Sequence, residues 1–403
     1  MVLNEPKQTV IAGGGPDDYL EARHVVLRGT NREIGRAIAE IALTEFNSRP
    51  LRAGDPTHAR ATRRYYHEHY PIHEQRILGA ADAYGIDPDD DAANFVGLPF
   101  LMPPLPGCSA AYVPPKRCAK GSGLVSRNYD FPLEFGAAPP GDDRLAGSSS
   151  SRGFKMASRP YLFEVYPDEG YPSLYFSQYD LLGACADGIN SEGLTVVMLA
   201  DDESAARYPA PPILTVGVGL HPLQATRLLL DTCATVEEAK EALLMNKHYA
   251  FLIPAHYIVA DRHGHSFVWE WSHLQHSEHI IDGGGETQVV TNHLLHQPAP
   301  ANVSVENDPG WTRTRLARLT DVLDRAGDGV TPRDLKAAHV CTRFTKSFAR
   351  ELTGDPEANP SSRTIWHAVY DTEERSLDAS FYLGDNPDGT DRRSPYQSFQ
   401  LGN

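Results

Sequence analysis

Cys108 has the setting in this sequence that most invites chemistry. It follows a glycine in Leu105-Pro106-Gly107-Cys108-Ser109-Ala110, at the end of the proline-rich run Met102-Pro103-Pro104-Leu105-Pro106. Nineteen residues later stands Arg127-Asn128-Tyr129-Asp130. If the Gly107–Cys108 bond is cut, one residue carries both a thiol and an α-amine. A free α-amine titrates at about 7.7–8.0, close enough to neutrality to act as the base for its own thiol. Cys108 thus reads as a latent N-terminal nucleophile, unmasked when the chain cuts itself between Gly107 and Cys108. The ordinary alternative is a small buried strand cysteine, and other residues have to decide between the two.

A site that cleaves amides also needs donors for the developing oxyanion and a group that holds the amine. Arg127 and Asp130 follow Cys108 in a strand–turn setting. A guanidinium beside a thiol lowers its pKa, and a carboxylate accepts from an ammonium. Taken alone, R-x-x-D equally describes a partly exposed salt bridge. Asn292, in Thr291-Asn292-His293 at a strand end, has an amide that donates to a tetrahedral oxyanion, although turn formation is the commoner use of Asn there. His293 reads as a supporting or structural residue, because an N-terminal nucleophile needs no histidine.

Other chemistries are poorly served. There is no G-x-S-x-G for a serine hydrolase of that class. Gly13-Gly14-Gly15-Pro16 lacks the GK[ST] of a phosphate loop, and Gly283-Gly284-Gly285 precedes no helical pattern. Histidines 58, 67, 69 and 73 form no recognised ligand motif and read as solvated helix faces. Met198, Trp269 and Trp271 fall at strand spacing and read as core. The five cysteines (108, 118, 185, 233, 341) give neither a disulfide framework nor zinc spacing. No metal or cofactor is expected. A net charge of −16 without a Lys/Arg run argues against nucleic acid. With no signal-peptide pattern at the N-terminus and no apolar run near the roughly 18 residues of a membrane span, the expectation is a cytoplasmic protein without a membrane partner.

Positioning such a site takes a layered fold. Residues 1–20 read as a flexible tail. Ala22–Arg28 reads as a strand, and the capping box Thr30-Asn31-Arg32-Glu33 opens a helix with Ile34, Ala37, Ile38, Ile41 and Ala42 on one face. Residues 58–84 read as further helix, so 21–107 form a mainly helical leading segment. From Cys108 the texture changes to strands: a hairpin of 109–113 with 123–129, then 161–166 and 173–177. A turn over Asp187–Gly193 leads into the apolar run Leu194–Leu199. Helices follow at 222–231 and 235–245, a hairpin at 256–271 and a short strand at 289–292. Helices at 313–323 and 332–339 precede a closing hairpin of 364–371 with 377–383. Residues 136–153 are polar and low in complexity, and read as a flexible surface insertion within the 108–403 domain. Two strand clusters with helices between them point to an α+β fold with layered packing.

The ordered set Gly-Cys, R-N-Y-D, D-G-x-N-x-x-G-L and T-N-H resembles the N-terminal-nucleophile (Ntn) hydrolases. By pattern the set is most similar to the self-processing acyl-coenzyme A:6-aminopenicillanic acid acyltransferase-like group; choloylglycine hydrolases, penicillin V acylases and acid ceramidases are more distant. The leading HVVLRGTNREIGRAIAEIA and the closing TIWHAVYD…FYLGD extend the resemblance through most of the chain. It implies a four-layer αββα sandwich, self-cleavage at Gly107–Cys108 into chains that stay together, and hydrolysis or transfer of the acyl group of a small N-acyl amide through a Cys108 thioester. Cys108 is then the nucleophile, with Arg127 and Asp130 as the flanking pair and Asn292 at the oxyanion or amine-orienting position. A later arginine is also implied, for which Arg315 is favoured over Arg313. One departure stands out. Relatives in the bile-salt branch carry an Asn shortly after the D-G-x-N-x-x-G-L turn, where this chain reads Met198-Leu199-Ala200-Asp201. Losing one oxyanion donor typically costs about 3 kcal/mol. This argues against a bile-salt substrate, and it motivates the competing reading of an uncut, non-catalytic binding or scaffold protein on the same fold.

Overall fold

The structure is a computed structural model. It describes residues 7–46, 51–52, 55–94, 107–134, 155–178, 181–201, 217–249, 255–272, 275, 277–298 and 302–402. The proline run before Gly107 and the 136–153 insertion lie outside the described residues.

The leading segment begins with β1 (Lys7–Gly13) and β2 (Glu21–Gly29), paired antiparallel. The expectation of a flexible tail over 1–20 is therefore corrected for residues 7–20, and residues 1–6 lie outside the described residues. Ile11 and Ala12 are buried, and the glycine run is a tight turn instead of a linker. Gly13 has φ +73, and a Cβ there would lie 1.9 Å from the Leu20 carbonyl oxygen, so only glycine fits. Helix α1 (Asn31–Phe46) starts at the expected capping box, with Thr30 N–H and Oγ1 on Glu33 Oε2 and Glu33 N–H on Thr30 Oγ1. It buries the predicted face of Ile34, Ala37, Ile38, Ile41 and Ala42. A two-residue ladder joins β3 (Leu51–Arg52) to β4 (Ala93–Asn94). The expected helix over 58–84 is two helices, α2 (Pro56–His69) and α3 (Pro71–Tyr84). Pro71 has no N–H to continue the first ladder, and it suits the first turn of the second.

From Cys108 the chain runs through β5 (Cys108–Val113), β6 (Leu124–Pro132), β7 (Tyr161–Pro167), β8 (Ser173–Ser177), β9 (Asp187–Asn190) and β10 (Thr195–Ala200). Helices α4 (Pro222–Thr232) and α5 (Val236–Met245) follow, then β11 (Ala255–Ala260), β12 (Ser266–Ser272), β13 (Ser277–Asp282) and β14 (Gln288–Val290). The C-terminal part holds α6 (Thr312–Ala326), α7 (Pro332–Ala338) and α8 (Lys346–Thr353), then β15 (Ser362–Asp371), β16 (Ser376–Asp385), β17 (Asp391–Arg393) and β18 (Gln397–Gln400). The stretch from Asp187, expected as a turn, begins as strand β9. The turn itself is confined to the residues after Asn190, whose Oδ1 accepts from the N–H groups of Glu192 and Leu194.

Among the described residues the strands form two large sheets. One has the order β1-β2-β7-β8-β9-β10-β11-β12-β13, the other β14-β5-β6-β15-β16-β17 with β18 on β16. Alternation along β5 shows how the sheets stack. Cys108, Ala110 and Tyr112 join the core shared with the nine-stranded sheet. Ala111 and Val113 face the other way, onto Leu319 and Leu323 of α6 and Leu335 and Ala338 of α7. Helices α1 and α4 cover the nine-stranded sheet, through β2 and β7 and through β9 and β10. The fold is α+β, with helix, sheet, sheet and helix in successive layers. The leading segment is not a separate body, because β2 pairs with β7 in parallel from Arg23↔Tyr161 to Gly29↔Pro167. No helix among the described residues is long and apolar enough to cross a membrane.

Candidate active site

Cys108 opens β5, a strand buried on both faces. Antiparallel pairing with β6 puts Cys108 opposite Tyr129 and Ala110 opposite Arg127. Arg127 therefore points into the space between the sheets on the same face as the thiol, and its Nη2 lies 3.2 Å from Cys108 Sγ. Asp130 is on the opposite face of β6, beside the backbone of Gly107. The two residues expected to flank Cys108 are thus divided, with the arginine at the thiol and the carboxylate beside the Gly107–Cys108 peptide, and they do not form the salt bridge that was the ordinary alternative.

Both charges are fully buried and each has its own counter-group. Arg127 Nη1 donates to Asp187 Oδ1 and to the Ala186 carbonyl. Asp187 also receives the hydroxyl of Tyr370 at 2.6 Å. Burial pushes its carboxyl up, while Arg127, Tyr370 and Trp366 oppose that rise. The Arg127 guanidinium stacks on Tyr129, 4.5 Å from the ring centroid. Tyr129 in turn stacks on Trp366, with ring centroids 3.8 Å apart. Asp130 Oδ1 accepts from Thr364 Oγ1 at 2.5 Å. Oδ2 accepts no hydrogen bond among the described residues and lies 3.8 Å from Arg315 Nη1. Burial raises the Asp130 carboxyl to about 6, against the pull of Arg315.

The remaining two residues hold the backbone of Cys108. Its N–H donates to Asn292 Oδ1 at 2.7 Å. Arg315 Nη2 donates to the same Oδ1 at 2.6 Å, and Nη1 donates to the Cys108 carbonyl at 2.5 Å. Of the two orientations expected for Asn292, the structure shows the one that holds the Cys108 nitrogen. Its Nδ2 donates to the Ala200 carbonyl at 2.7 Å, so the place where a donor was missed supplies an acceptor. Arg315 is fully buried and reaches Cys108 from the first turn of α6. Arg313 lies instead where its charge helps burial to lower the His293 pKa, to about 4. His293 is therefore neutral at physiological pH, with Nδ1 3.3 Å from Thr291 Oγ1 and 3.1 Å from Thr312 Oγ1.

The Gly107–Cys108 peptide itself is held. Gly107 O accepts the Asp130 N–H at 2.9 Å. A Cβ at Gly107 would stand 2.8 Å from Phe344 Cε2 and 3.1 Å from Asp130 Oδ2. The thiol differs from the sequence expectation in one respect. Arg127 does pull its pKa down, but burial is the larger effect and, with Asp130, leaves it raised. Among the described residues no group of three or more His, Cys, Asp or Glu could hold a metal.

Asp187, Thr364 and Thr312 were not singled out in the sequence. Asp187 opens the D-G-x-N motif, so its signal was present but was read as turn chemistry. Thr312 Oγ1 accepts the Asn292 N–H at 2.7 Å and lies in the same W-T-R-T-R segment as Arg315. Nothing in the local sequence distinguishes Thr364.

Residues 151–386 match the family model for acyl-coenzyme A:6-aminopenicillanic acid acyl-transferase. No curated protein matches the chain. Solved structures similar to it include a mutant conjugated bile acid hydrolase from Clostridium perfringens, 13% identical, covering 73% of this chain and 92% of that one with a TM-score of 0.44. Another is penicillin V acylase from Agrobacterium tumefaciens, 17% identical, covering 68% of this chain and 82% of that one with a TM-score of 0.38.

Proposed function

Since the chain belongs to the acyl-coenzyme A:6-aminopenicillanic acid acyl-transferase family, and so to the enzymes that hydrolyse or transfer acyl groups at amide bonds, we propose that it cuts itself between Gly107 and Cys108 and then acts on a small linear N-acyl amide through a Cys108 thioester. The observation that carries this reading is the double hold on one residue. Arg127 meets the Cys108 thiol, while Asn292 and Arg315 hold its nitrogen and carbonyl and Asp130 faces the bond before it.

In the cut, Cys108 Sγ attacks the Gly107 carbonyl carbon. The Asp130 N–H, already on that oxygen, stabilises the developing oxyanion. The C–N bond breaks, the proton given up by the thiol passes to the Cys108 nitrogen, and a Gly107–Sγ thioester forms. Water then hydrolyses it to a Gly107 carboxylate, a free thiol and a free α-amine. Asn292 Oδ1 already accepts from that nitrogen and keeps it oriented. Asp130 Oδ2, which accepts no hydrogen bond among the described residues, is available to the new ammonium.

In turnover, the neutral α-amine takes the thiol proton and Sγ attacks the substrate carbonyl. The ammonium next protonates the leaving amine, and water or a second amine resolves the thioester. The leading segment stays bound throughout, because β2 remains a strand of the nine-stranded sheet.

A denaturing gel of the purified protein, paired with turnover of N-acyl amino acids, acyl peptides and lactam amides, tests the proposal. Two chains with activity are expected from the native protein, and one inactive chain from Cys108→Ala. A single uncut chain with full activity would exclude the self-cleavage step. A single uncut chain that is inactive on every amide would favour the scaffold reading. Adding an amine acceptor separates transfer from hydrolysis, since a transferase diverts product from the free acid.

A further inference from the structure

Among the fully buried titratable side chains outside this mechanism are Glu270 on β12 and His256 on β11. They meet at the loop that presents Asn292. Glu270 Oε1 accepts the Leu295 N–H at 2.6 Å, and Oε2 accepts the His296 N–H at 3.0 Å. Oε2 also lies 2.6 Å from His296 Nδ1. One carboxylate thus fastens the loop just beyond Asn292. Those donors, together with His256, hold the Glu270 carboxyl down to about 2 against its burial.

His256 joins this carboxylate to Asn292. Its Nδ1 is 3.6 Å from Glu270 Oε1, an ion-pair distance. Its Nε2 is 2.6 Å from the Thr291 carbonyl oxygen. A carbonyl only accepts, so Nε2 carries the proton in this contact. The charges facing His256 are those of Glu270 and Asp201 on the acidic side, with neutral His293 nearby. The acidic side prevails over burial, and the imidazole pKa is raised.

The Thr291 carbonyl and the Asn292 N–H belong to one peptide plane. His256 holds its carbonyl end, and Thr312 Oγ1 holds its N–H end at 2.7 Å. Pinning a rigid plane at both ends fixes the direction of the Asn292 side chain, and with it the 2.7 Å contact of Oδ1 with the Cys108 nitrogen. We infer that His256 and Glu270 are positioning residues for Asn292, and that they set the geometry of the Cys108 nitrogen through the Thr291–Asn292 peptide plane. This rests on the proposed self-cleavage and adds to it two residues that touch no reacting atom.

The test follows the uncut fraction of the full-length protein over time on a denaturing gel, alongside the rate at which iodoacetamide alkylates Cys108 in the uncut chain. His256→Ala should slow the cut about 10- to 100-fold, the scale of a misplacement near 1 Å. Alkylation should stay within twofold of the native protein, because Arg127 still meets the thiol. His256→Gln, whose amide N–H can reach the Thr291 carbonyl, should recover most of the rate. Glu270→Gln, which keeps one acceptor and removes the counter-charge, should slow the cut and serves as the reporter if His256→Ala does not fold. The inference is overturned if His256→Ala and Glu270→Gln both cut at the native rate. It is also overturned if His256→Gln is as slow as His256→Ala with both losses tracking thermal stability. A native protein that never cuts overturns the functional proposal, and this inference with it. A native protein that cuts normally beside unaffected variants overturns only the inference.

Discussion

Asp130 is the residue through which the proposed self-cleavage is expected to depend on pH. Its carboxyl is raised to about 6 by burial, so it is ionised at neutral pH and protonated in mild acid. Self-cleavage, which precedes release of the α-amine, should fall as pH drops through about 6, and Asp130→Asn should cut slowly at neutral pH and lack this limb. The stability effect runs the other way. The folded protein binds this proton more tightly than the unfolded chain, whose Asp titrates near 3.9, so the contribution of Asp130 to stability is largest in acid and is lost as pH rises from about 4 to about 6. Asp130→Asn should flatten that slope in urea denaturation measured across the range. Gly107 is equally testable. Gly107→Ala drives a methyl against Phe344 and Asp130. It should cost about 1–3 kcal/mol, the usual range for overpacking, and slow the cut, with Phe344→Leu restoring part of the rate. Residues around Cys108 were legible because each sits in a short motif whose order along the chain is informative. Asp187 was not read as the partner of Arg127, because that pairing crosses from one sheet to the other and leaves no local trace.

At the scale of elements, α6 aims Arg315. Its Leu319 and Leu323 pack on the outer face of β5 through Ala111 and Val113, so the helix that carries Arg315 rests on the strand that begins with Cys108. Leu319→Ala should cost about 2–5 kcal/mol of stability in chemical denaturation, as buried leucine truncations do, and should also slow the cut by loosening the Arg315 contact. Arg315→Lys, although it keeps the charge, loses the fork that reaches both the Cys108 carbonyl and Asn292 Oδ1 and should behave nearly as Arg315→Ala in cleavage assays. Strands and helices with clear periodicity were legible: β2, α1, the β5–β6 and β11–β12 hairpins, α6 and the closing β15–β16 pair. The errors fell where one local signal had two meanings. The glycine run after β1 suits a linker or a tight turn, and Asp187-Gly188 suits a turn or a strand that lets a neighbour close in. The helical pattern continued across Pro71 and hid the break between α2 and α3, and His73, read with the solvated histidines, is buried against Tyr66 and Tyr70.

At the scale of the whole molecule, the proposed cut would divide the sequence without dividing the fold. Besides the β2–β7 ladder, Arg76 of the leading segment pairs with Asp231 of α4, and both are buried. Tyr70 Oη also donates to Asp231, at 2.5 Å. Arg227 Nη2 shares that carboxylate at 2.9 Å. The two chains should therefore co-elute on size exclusion after cleavage and separate only under denaturing conditions. Asp231→Ala leaves two buried guanidinium groups without their carboxylate, and should cost about 3–5 kcal/mol and release the leading chain at lower urea. The sequence showed layered α+β packing through its two strand clusters. It did not show that the leading segment supplies strands to the same sheet, since a parallel pairing across more than a hundred residues has no local signature. The most direct measurement of the central claim is the mass of the enzyme quenched during turnover of an N-acyl amide, followed by mapping of the modified peptide. The account predicts one acyl group on a peptide whose N-terminus is Cys108. An acyl group on any other residue, or turnover by a chain still joined at Gly107–Cys108, would contradict it.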